Sequence, residues 1–161
     1  MKSLLPVFFS LVALCFTGCV TSDSEQSMAP TMLMESRTDG SVKYEMLPVP
    51  MPDGSLIQIP VSGTPILGPD HFLRADVAEV DLGVAIRMTL SRRGQVELYQ
   101  SSGFNLSRRL LLLVGTKVVG LRRIETVMNE PHYFTFALVP DSEIPELVLQ
   151  INDYLEAYHS R

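Results

Sequence analysis

The chain has 161 residues and a formal net charge of −5, with 18 acidic residues, 13 basic residues, two cysteines and three histidines. This length suits one domain with a single core, and the acidic balance argues against a nucleic-acid partner. His71, His132 and His159 have no second histidine or cysteine at ligand spacing, so we expect no metal and no cofactor.

Residues 1–18 have the pattern of an export signal: a positive start is followed by an apolar run from Leu4 to Phe16, too short to cross a bilayer as a mature helix. The run ends in "FTGC", which resembles the lipobox of bacterial lipoprotein precursors. That resemblance implies signal cleavage between Gly18 and Cys19 and lipid attachment, including a palmitate-type acyl chain, at Cys19. A plain secreted start and a retained anchor are the alternatives.

Lipidation of Cys19 accounts for both cysteines. Cys15 would leave with the signal, and the Cys19 sulfur would form a thioether, so no disulfide is expected. Acyl chains hold a soluble domain at a membrane without a transmembrane helix. By analogy with enterobacterial lipoproteins, Val20 favours the periplasmic face of the outer membrane over the inner membrane. The expected location is therefore the bacterial cell envelope.

Residues 19–43 are rich in Ser, Thr, Asp and Glu and show no sustained period, which predicts a flexible lipidated tether. Met32 and Met34 are assigned to this linker rather than to a docked segment. Residues 44–65 contain a turn signal, Pro52 to Gly54, between two short extended runs, which predicts an N-terminal hairpin or extension.

Residues 66–161 form the predicted main domain. Strands are expected over Phe72–Val80 and Val84–Leu90, the second with strict apolar alternation. Ser91 is a candidate N-cap for a helix that ends near Ser102. The continuous apolar run Leu110 to Val114 indicates a central strand covered on part of both faces, followed by a tight turn at Gly115 and Thr116 and a return strand.

A last strand and a terminal helix complete the pattern. Tyr133–Val139 alternates Phe134, Phe136 and Leu138 with smaller residues. The terminal helix repeats apolar residues at spacings of three and four, with Pro145 in its first turn and Asp141 or Ser142 as the cap. We predict an α+β two-layer sandwich, with a mostly antiparallel sheet of four to six strands packed by two helices. The apolar positions of the terminal helix are Ile144, Leu147, Val148, Ile151, Leu155 and Tyr158.

Basic residues are concentrated between Val84 and Met128, where eight basic residues accompany two acidic ones. One interpretation is a partner surface for an anionic lipid head group, a glycan or an acidic polypeptide. The alternative is that these charges face the acidic terminal helix or water. Neighbouring residues of a strand point to opposite faces, so only one arginine of a strand pair can serve one patch. The candidate residues are Arg92, Arg93, Arg108, Arg109, Arg122 and Arg123.

Catalytic groups are not evident. No Gly-x-Ser-x-Gly elbow is present. Glu143 and Glu146 are placed to complement a helix dipole rather than to act as paired catalytic carboxylates. Ser102 and Asn105 are typical of caps and turns. We therefore expect no enzymatic activity.

Residues 84–115, "VAIRMTLSRRGQVELYQSSGFNLSRRLLLLVG", resemble the head subdomain in the first periplasmic loop of SecD/SecDF, and the similarity extends over about residues 66–153. Ser102 and Ser107 depart from the family's Thr and Gly. The resemblance implies a mobile head that contacts exported polypeptide, but not the proton coupling of that family, whose transmembrane helices and membrane acids are absent from this sequence. The matching positions are Leu90, Gly94, Leu98, Ser102, Asn105, Ser107, Arg108, Leu110 and Leu111.

Together these features predict a non-catalytic, membrane-tethered periplasmic lipoprotein that serves as a binding module for exported polypeptide or for an envelope component. The alternative is a structural or assembly subunit of an envelope complex. Fold alone does not decide between the two.

Overall fold

The computed structural model describes residues 28–38, 43–80 and 83–161; the predicted signal, Gly18 and Cys19 lie outside these ranges. Eight strands and two helices are present there, in the order β1 (Pro30–Met34), β2 (Tyr44–Pro50), β3 (Leu56–Ser62), β4 (Phe72–Val80), β5 (Gly83–Leu90), α1 (Arg92–Phe104), β6 (Arg109–Val114), β7 (Lys117–Arg123), β8 (His132–Ala137) and α2 (Ile144–His159), with a short 3-10 turn at Pro69–His71.

Six strands form one antiparallel sheet in the order β1-β6-β7-β8-β5-β4, and β2 and β3 form a separate antiparallel hairpin. Residues of both helices share a core with one face of the sheet, which we call the helix face. The hairpin packs on the opposite face, the hairpin face. The predicted α+β sandwich is confirmed, and the hairpin expected around Pro52 to Gly54 is present.

Strand β6 belongs to two cores at once. Leu110 and Leu112 lie in the core under the helices, whereas Leu111 and Leu113 lie in the core under the hairpin. This explains why the apolar run is continuous instead of alternating, because both faces of the strand are covered.

The start of α1 is fixed by a cap and a close contact. The Ser91 hydroxyl accepts a hydrogen bond from the Gly94 N–H at 3.2 Å, as predicted. A side chain at position 94 would not fit, since a Cβ there would lie 2.6 Å from the carbonyl oxygen of His71. The 3-10 turn therefore packs directly against the first turn of α1.

The expected cap of α2 is wrong. Pro145 lies in the first turn as predicted, but the residue at the N-cap position is Glu143, and no side chain caps the helix. Glu143 already has helical backbone angles, and its N–H donates to the carbonyl of Pro140 at 2.8 Å. Capping by Asp141 or Ser142 requires an extended backbone at the cap, which this turn does not provide.

The predicted tether is also wrong over part of its length, because Pro30–Met34 is a strand that pairs with β6. Met32 is fully buried and Met34 is 6% exposed, so both contribute to the core on the helix face. Buried and partly buried residues alternate over only the five residues of β1. The flexible methionine side chains pack in the same core as the leucines of β6.

One of the two edge strands of the sheet, β4, is partly capped by α2. The Ala75 N–H donates to Asn152 Oδ1 at 2.8 Å, and Asn152 Nδ2 donates to the Ala75 carbonyl at 2.9 Å. Near the end of the helix, His159 Nε2 lies 2.8 Å from the carbonyl oxygen of Phe72. These side chains take the hydrogen-bonding positions that a further strand would occupy.

Candidate partner-binding surface

The hairpin covers only part of its face of the sheet. Val49, Ile59 and Val61 of the hairpin share their core with residues of β6 and β7. The corresponding side of β8, β5 and β4 extends beyond this core, and Phe136 there is 45% exposed. We call this region the open surface; its residues are Arg74, Asp76, Arg87, Arg123, Phe134 and Phe136.

Strand register brings these side chains together. Phe134 lies opposite Arg87 on the neighbouring strand, and Arg87 lies opposite Asp76 on the next. Tyr133 and Thr135, which alternate with the phenylalanines, are buried on the helix face. The alternation thus predicts the strand correctly, but the large aromatic rings of Phe134 and Phe136 point away from the helices.

The open surface is cationic. The Asp76 carboxylate forms ion pairs with Arg74 Nη2 at 2.7 Å and with Arg87 Nη2 at 3.4 Å, so one carboxylate is shared by two guanidinium groups. Asp76 is the more enclosed partner, with 18% of its side chain exposed. Arginine and aromatic side chains are enriched where proteins bind other proteins.

A groove opens where β7 and β8 separate. The two strands pair only at Gly120 with Ala137 and at Leu121 with Phe136. Beyond that point, Arg122 Nη1 donates to the carbonyl of Phe134 at 3.0 Å. This side chain takes the place of the backbone N–H that β7 would supply if the two strands stayed paired. The groove has a volume of about 440 Å³ and is lined by Val80, Ala85, Arg122, Arg123, Glu125, Phe134, Thr135 and Phe136.

Tyr133, in the core on the helix face, contacts one of the arginines that line the groove. Its side chain is fully enclosed, and burial raises the pKa of its hydroxyl far above the ordinary value, so the ring stays neutral. The Arg122 guanidinium lies 5.8 Å from the centre of that ring, which is cation–π distance. Arg122 is therefore held by a carbonyl and a ring rather than by a carboxylate.

Three of the six predicted arginines gather at the start of β6. Arg109 donates from its backbone and its Nε to Glu35 at 3.0 and 2.9 Å, and these bonds hold the pKa of Glu35 below its ordinary value. Arg108 Nη1 lies 3.4 Å from the Glu35 carbonyl oxygen. Arg123 pairs in register with Arg109 and donates to the Ser107 carbonyl at 3.2 Å.

The other members lie elsewhere. Arg93 forms an ion pair with Asp70 at 3.1 Å, and Arg92 is exposed beside it at the start of α1. Helix α1 has 13 residues, so its C-terminal end lies roughly 18 Å from Arg92. Strand β6 begins near that C-terminal end. The six arginines therefore do not make one surface. Their carboxylate partners are Asp70 and Glu35, not the glutamates of the terminal helix.

Sequence reasoning missed Arg74, Arg87, Phe134 and Phe136 as members of a surface. A signal was available in β8, which carries three aromatic residues within four positions, Tyr133 included. Neighbouring strand residues alternate between faces, so these rings cannot all enter one core.

Within the described ranges, no group of three or more His, Cys, Asp or Glu side chains is arranged to hold a metal ion. Neither helix in the described part of the chain has the length and apolar character needed to cross a membrane.

No family model matches the chain, and no curated protein sequence matches it. Two solved structures of SecDF have a similar fold. One, SecDF in a super-membrane-facing form, aligns with a TM-score of 0.58 at 11% identity, over 80% of this chain and 19% of that chain. The other, described as a membrane component that enhances protein export, aligns with a TM-score of 0.57 at 13% identity, over 80% of this chain and 63% of that chain.

The chain thus spans less than two thirds of either SecDF chain. At these identities the likeness concerns the fold, and it agrees with the resemblance to SecD/SecDF read from residues 84–115. The chain has a SecDF-like fold.

Proposed function

We propose that this protein is a non-catalytic binding module for exported polypeptide, tethered to the periplasmic side of the bacterial envelope by a lipid on Cys19. The observation that carries the proposal is the open surface, where Phe134 and Phe136 lie beside Arg87 and Arg123 on a hydrogen-bonded sheet. The exposed ring of Phe136 and the half-buried ring of Phe134 lie beside guanidinium groups. This combination suits unfolded chains, whose apolar and acidic side chains are accessible.

The fold adds support by analogy. A SecDF structure that it resembles is described as a membrane component that enhances protein export. Analogy of fold does not carry function by itself, so the proposal depends on the open surface and its chemistry.

The tether proposed here is shorter than the sequence suggests, because β1 begins at Pro30. The eleven residues from Cys19 to Ala29 reach at most about 40 Å when fully extended. A domain held by this segment stays close to the membrane that carries the lipid.

Crosslinking tests the binding role. A photoreactive amino acid at position 136 should yield adducts with many exported proteins when export is active, and few when export is blocked. The matched control is position 149, where Leu149 is 59% exposed on α2. A single stoichiometric adduct at position 136 would instead support a structural or assembly subunit, and equal labelling from both positions would contradict a specific surface.

Variants of the cysteines test the tether. Cys19→Ser should abolish lipidation and leave an uncleaved precursor or soluble protein, whereas Cys15→Ser should leave membrane anchoring intact. Membrane fractionation with a mobility shift measures both. Fatty-acid labelling of the Cys19→Ser protein would contradict the proposed anchor.

A further inference from the structure

We propose that the groove between β7 and β8 binds a carboxylate of an extended polypeptide segment, with an apolar side chain of the same segment on Phe136. This inference rests on the proposed function and specifies its substrate class. Arg122 and Arg123 are neighbours on β7, but both line the groove because it lies in the gap where β7 and β8 separate. We infer that these two residues distinguish acidic segments from neutral ones.

The two arginines of the groove differ in their partners from four other arginines of the protein. Arg74, Arg87, Arg93 and Arg109 each lie within ion-pair distance of a carboxylate. In the ranges that the structure describes, the hydrogen bonds of the two arginines in the groove go instead to the carbonyls of Phe134 and Ser107, and no carboxylate lies within 4.0 Å of either guanidinium.

These bonds leave most of the donor capacity of each guanidinium unused, since each group has five N–H donors. The groove also contains one acidic residue, Glu125, against two arginines. It is therefore a cationic site within an acidic protein. Among polypeptide groups, carboxylates are the complement that arginine binds most strongly, often through two parallel hydrogen bonds.

Arg122 is fixed across the gap by the carbonyl of Phe134 and by the ring of Tyr133. An arginine held in this way loses less side-chain freedom on binding than one that extends freely into solvent. The groove is thus organised before a ligand arrives.

The groove follows two strands that separate, and Val80, Ala85 and Phe136 supply apolar lining next to the arginines. An extended segment places successive side chains on opposite sides about 3.4 Å apart. A carboxylate and an apolar side chain two positions along can therefore contact Arg123 and Phe136 together. A compact helical ligand does not present this spacing.

Peptide binding to the purified lipidated protein in detergent tests the inference. The probe is a fluorescent, unstructured peptide in which Asp and Leu stand two positions apart with Ser between them, so that both lie on one side of the extended chain, and its partner has Asn in place of Asp. Arg123→Gln should weaken binding of the Asp peptide about tenfold or more and leave the Asn peptide unchanged. Arg92→Gln is the matched control, because Arg92 is exposed at the start of α1, and should leave both affinities unchanged.

Arg122→Gln should have the same selective effect, but it also removes the contact with Phe134, so circular dichroism must first confirm its fold. Arg123 is exposed and makes one bond to a carbonyl, so Arg123→Gln keeps the test valid whether or not the other variant folds. Binding of the Asp peptide should fall as salt rises.

Equal affinity of the Asp and Asn peptides for the wild-type protein would overturn the inference. So would an equal loss of affinity in Arg92→Gln and Arg123→Gln. If crosslinks form at position 136 while Arg123→Gln has no effect, the carboxylate site is wrong and the broader binding role stands. If neither crosslinks nor peptide binding appear, the proposed function itself is wrong.

Discussion

Replacing Asn152 by alanine should weaken the attachment of α2 to the edge strand β4. The side-chain amide pairs with both the N–H and the carbonyl of Ala75, at 2.8 and 2.9 Å, so it imitates one peptide unit of a neighbouring strand. Alanine leaves both backbone groups without this partner in a partly buried position.

The expected cost follows from two opposing terms. Two hydrogen bonds contribute a net 0.5 to 1.5 kcal/mol each, or about 1 to 3 kcal/mol together. Alanine is the better helix former by roughly 0.6 kcal/mol, which offsets part of the loss. The free energy of unfolding should therefore fall by about 0.5 to 2.5 kcal/mol.

Urea denaturation followed by circular dichroism measures this change. Asp153→Ala is the matched control, because Asp153 is exposed on the same helix turn and its replacement brings the propensity gain without the loss of hydrogen bonds. Asn152→Asp, which can accept from the Ala75 N–H but cannot donate to its carbonyl, should also be destabilised. If Asn152→Ala were as stable as Asp153→Ala, the capping of the edge would contribute nothing and the reasoning would be refuted.

Three further predictions concern the core, the ion pair and the strand contact. Ile151→Ala should lower the free energy of unfolding by about 2 to 5 kcal/mol and Leu147→Ala by less, because Ile151 is fully buried and Leu147 only partly; equal denaturation midpoints would contradict this packing. Glu35 has a pKa below its ordinary value of 4.5, so its carboxylate stabilises the fold above the unfolded-state pKa and this contribution is lost as the pH falls through the folded-state pKa. Wild type and Glu35→Gln should therefore differ in melting temperature at neutral pH and converge in acid; a constant difference would count against the ion pair. Gly120→Ala should cost about 1 to 3 kcal/mol, since a Cβ there would lie 2.5 Å from Thr135 Cγ2, and adding Thr135→Ala should recover part of the loss; simple additivity of the two changes would argue against this contact.

Local signals predicted most of the elements. The Ser91 cap works as expected because its hydroxyl reaches an N–H three residues ahead in the same turn. The turn after β6 is tight, and Gly115 there has a φ of 61°, a conformation that glycine adopts readily. Such features are decided within a few residues, so one sequence is enough to read them.

Features decided by distant parts of the chain were missed. Met32 and Met34 are buried only because β6 offers them a partner about eighty residues away in sequence. The alternation in β8 does not state which side meets the helices, and the open placement of Phe134 and Phe136 depends on the limited extent of the hairpin. Likewise, the partner of Arg109 is Glu35, from a segment that looked like linker.

The doubly covered strand β6 has a consequence for folding. Most strands encode their register in polarity, because a slip by one residue turns apolar side chains to water. In β6 a one-residue slip exchanges leucine for leucine across positions 110 to 113, so polarity penalises the error very little. The alignment must therefore be specified at the ends of the strand. At its start, Arg109 contacts Glu35. At its end, the chain turns at Gly115, and the pairing of β6 with β7 is irregular between Leu112 and Leu113. Weakening either end should let misaligned chains accumulate during refolding, even where the final fold remains stable.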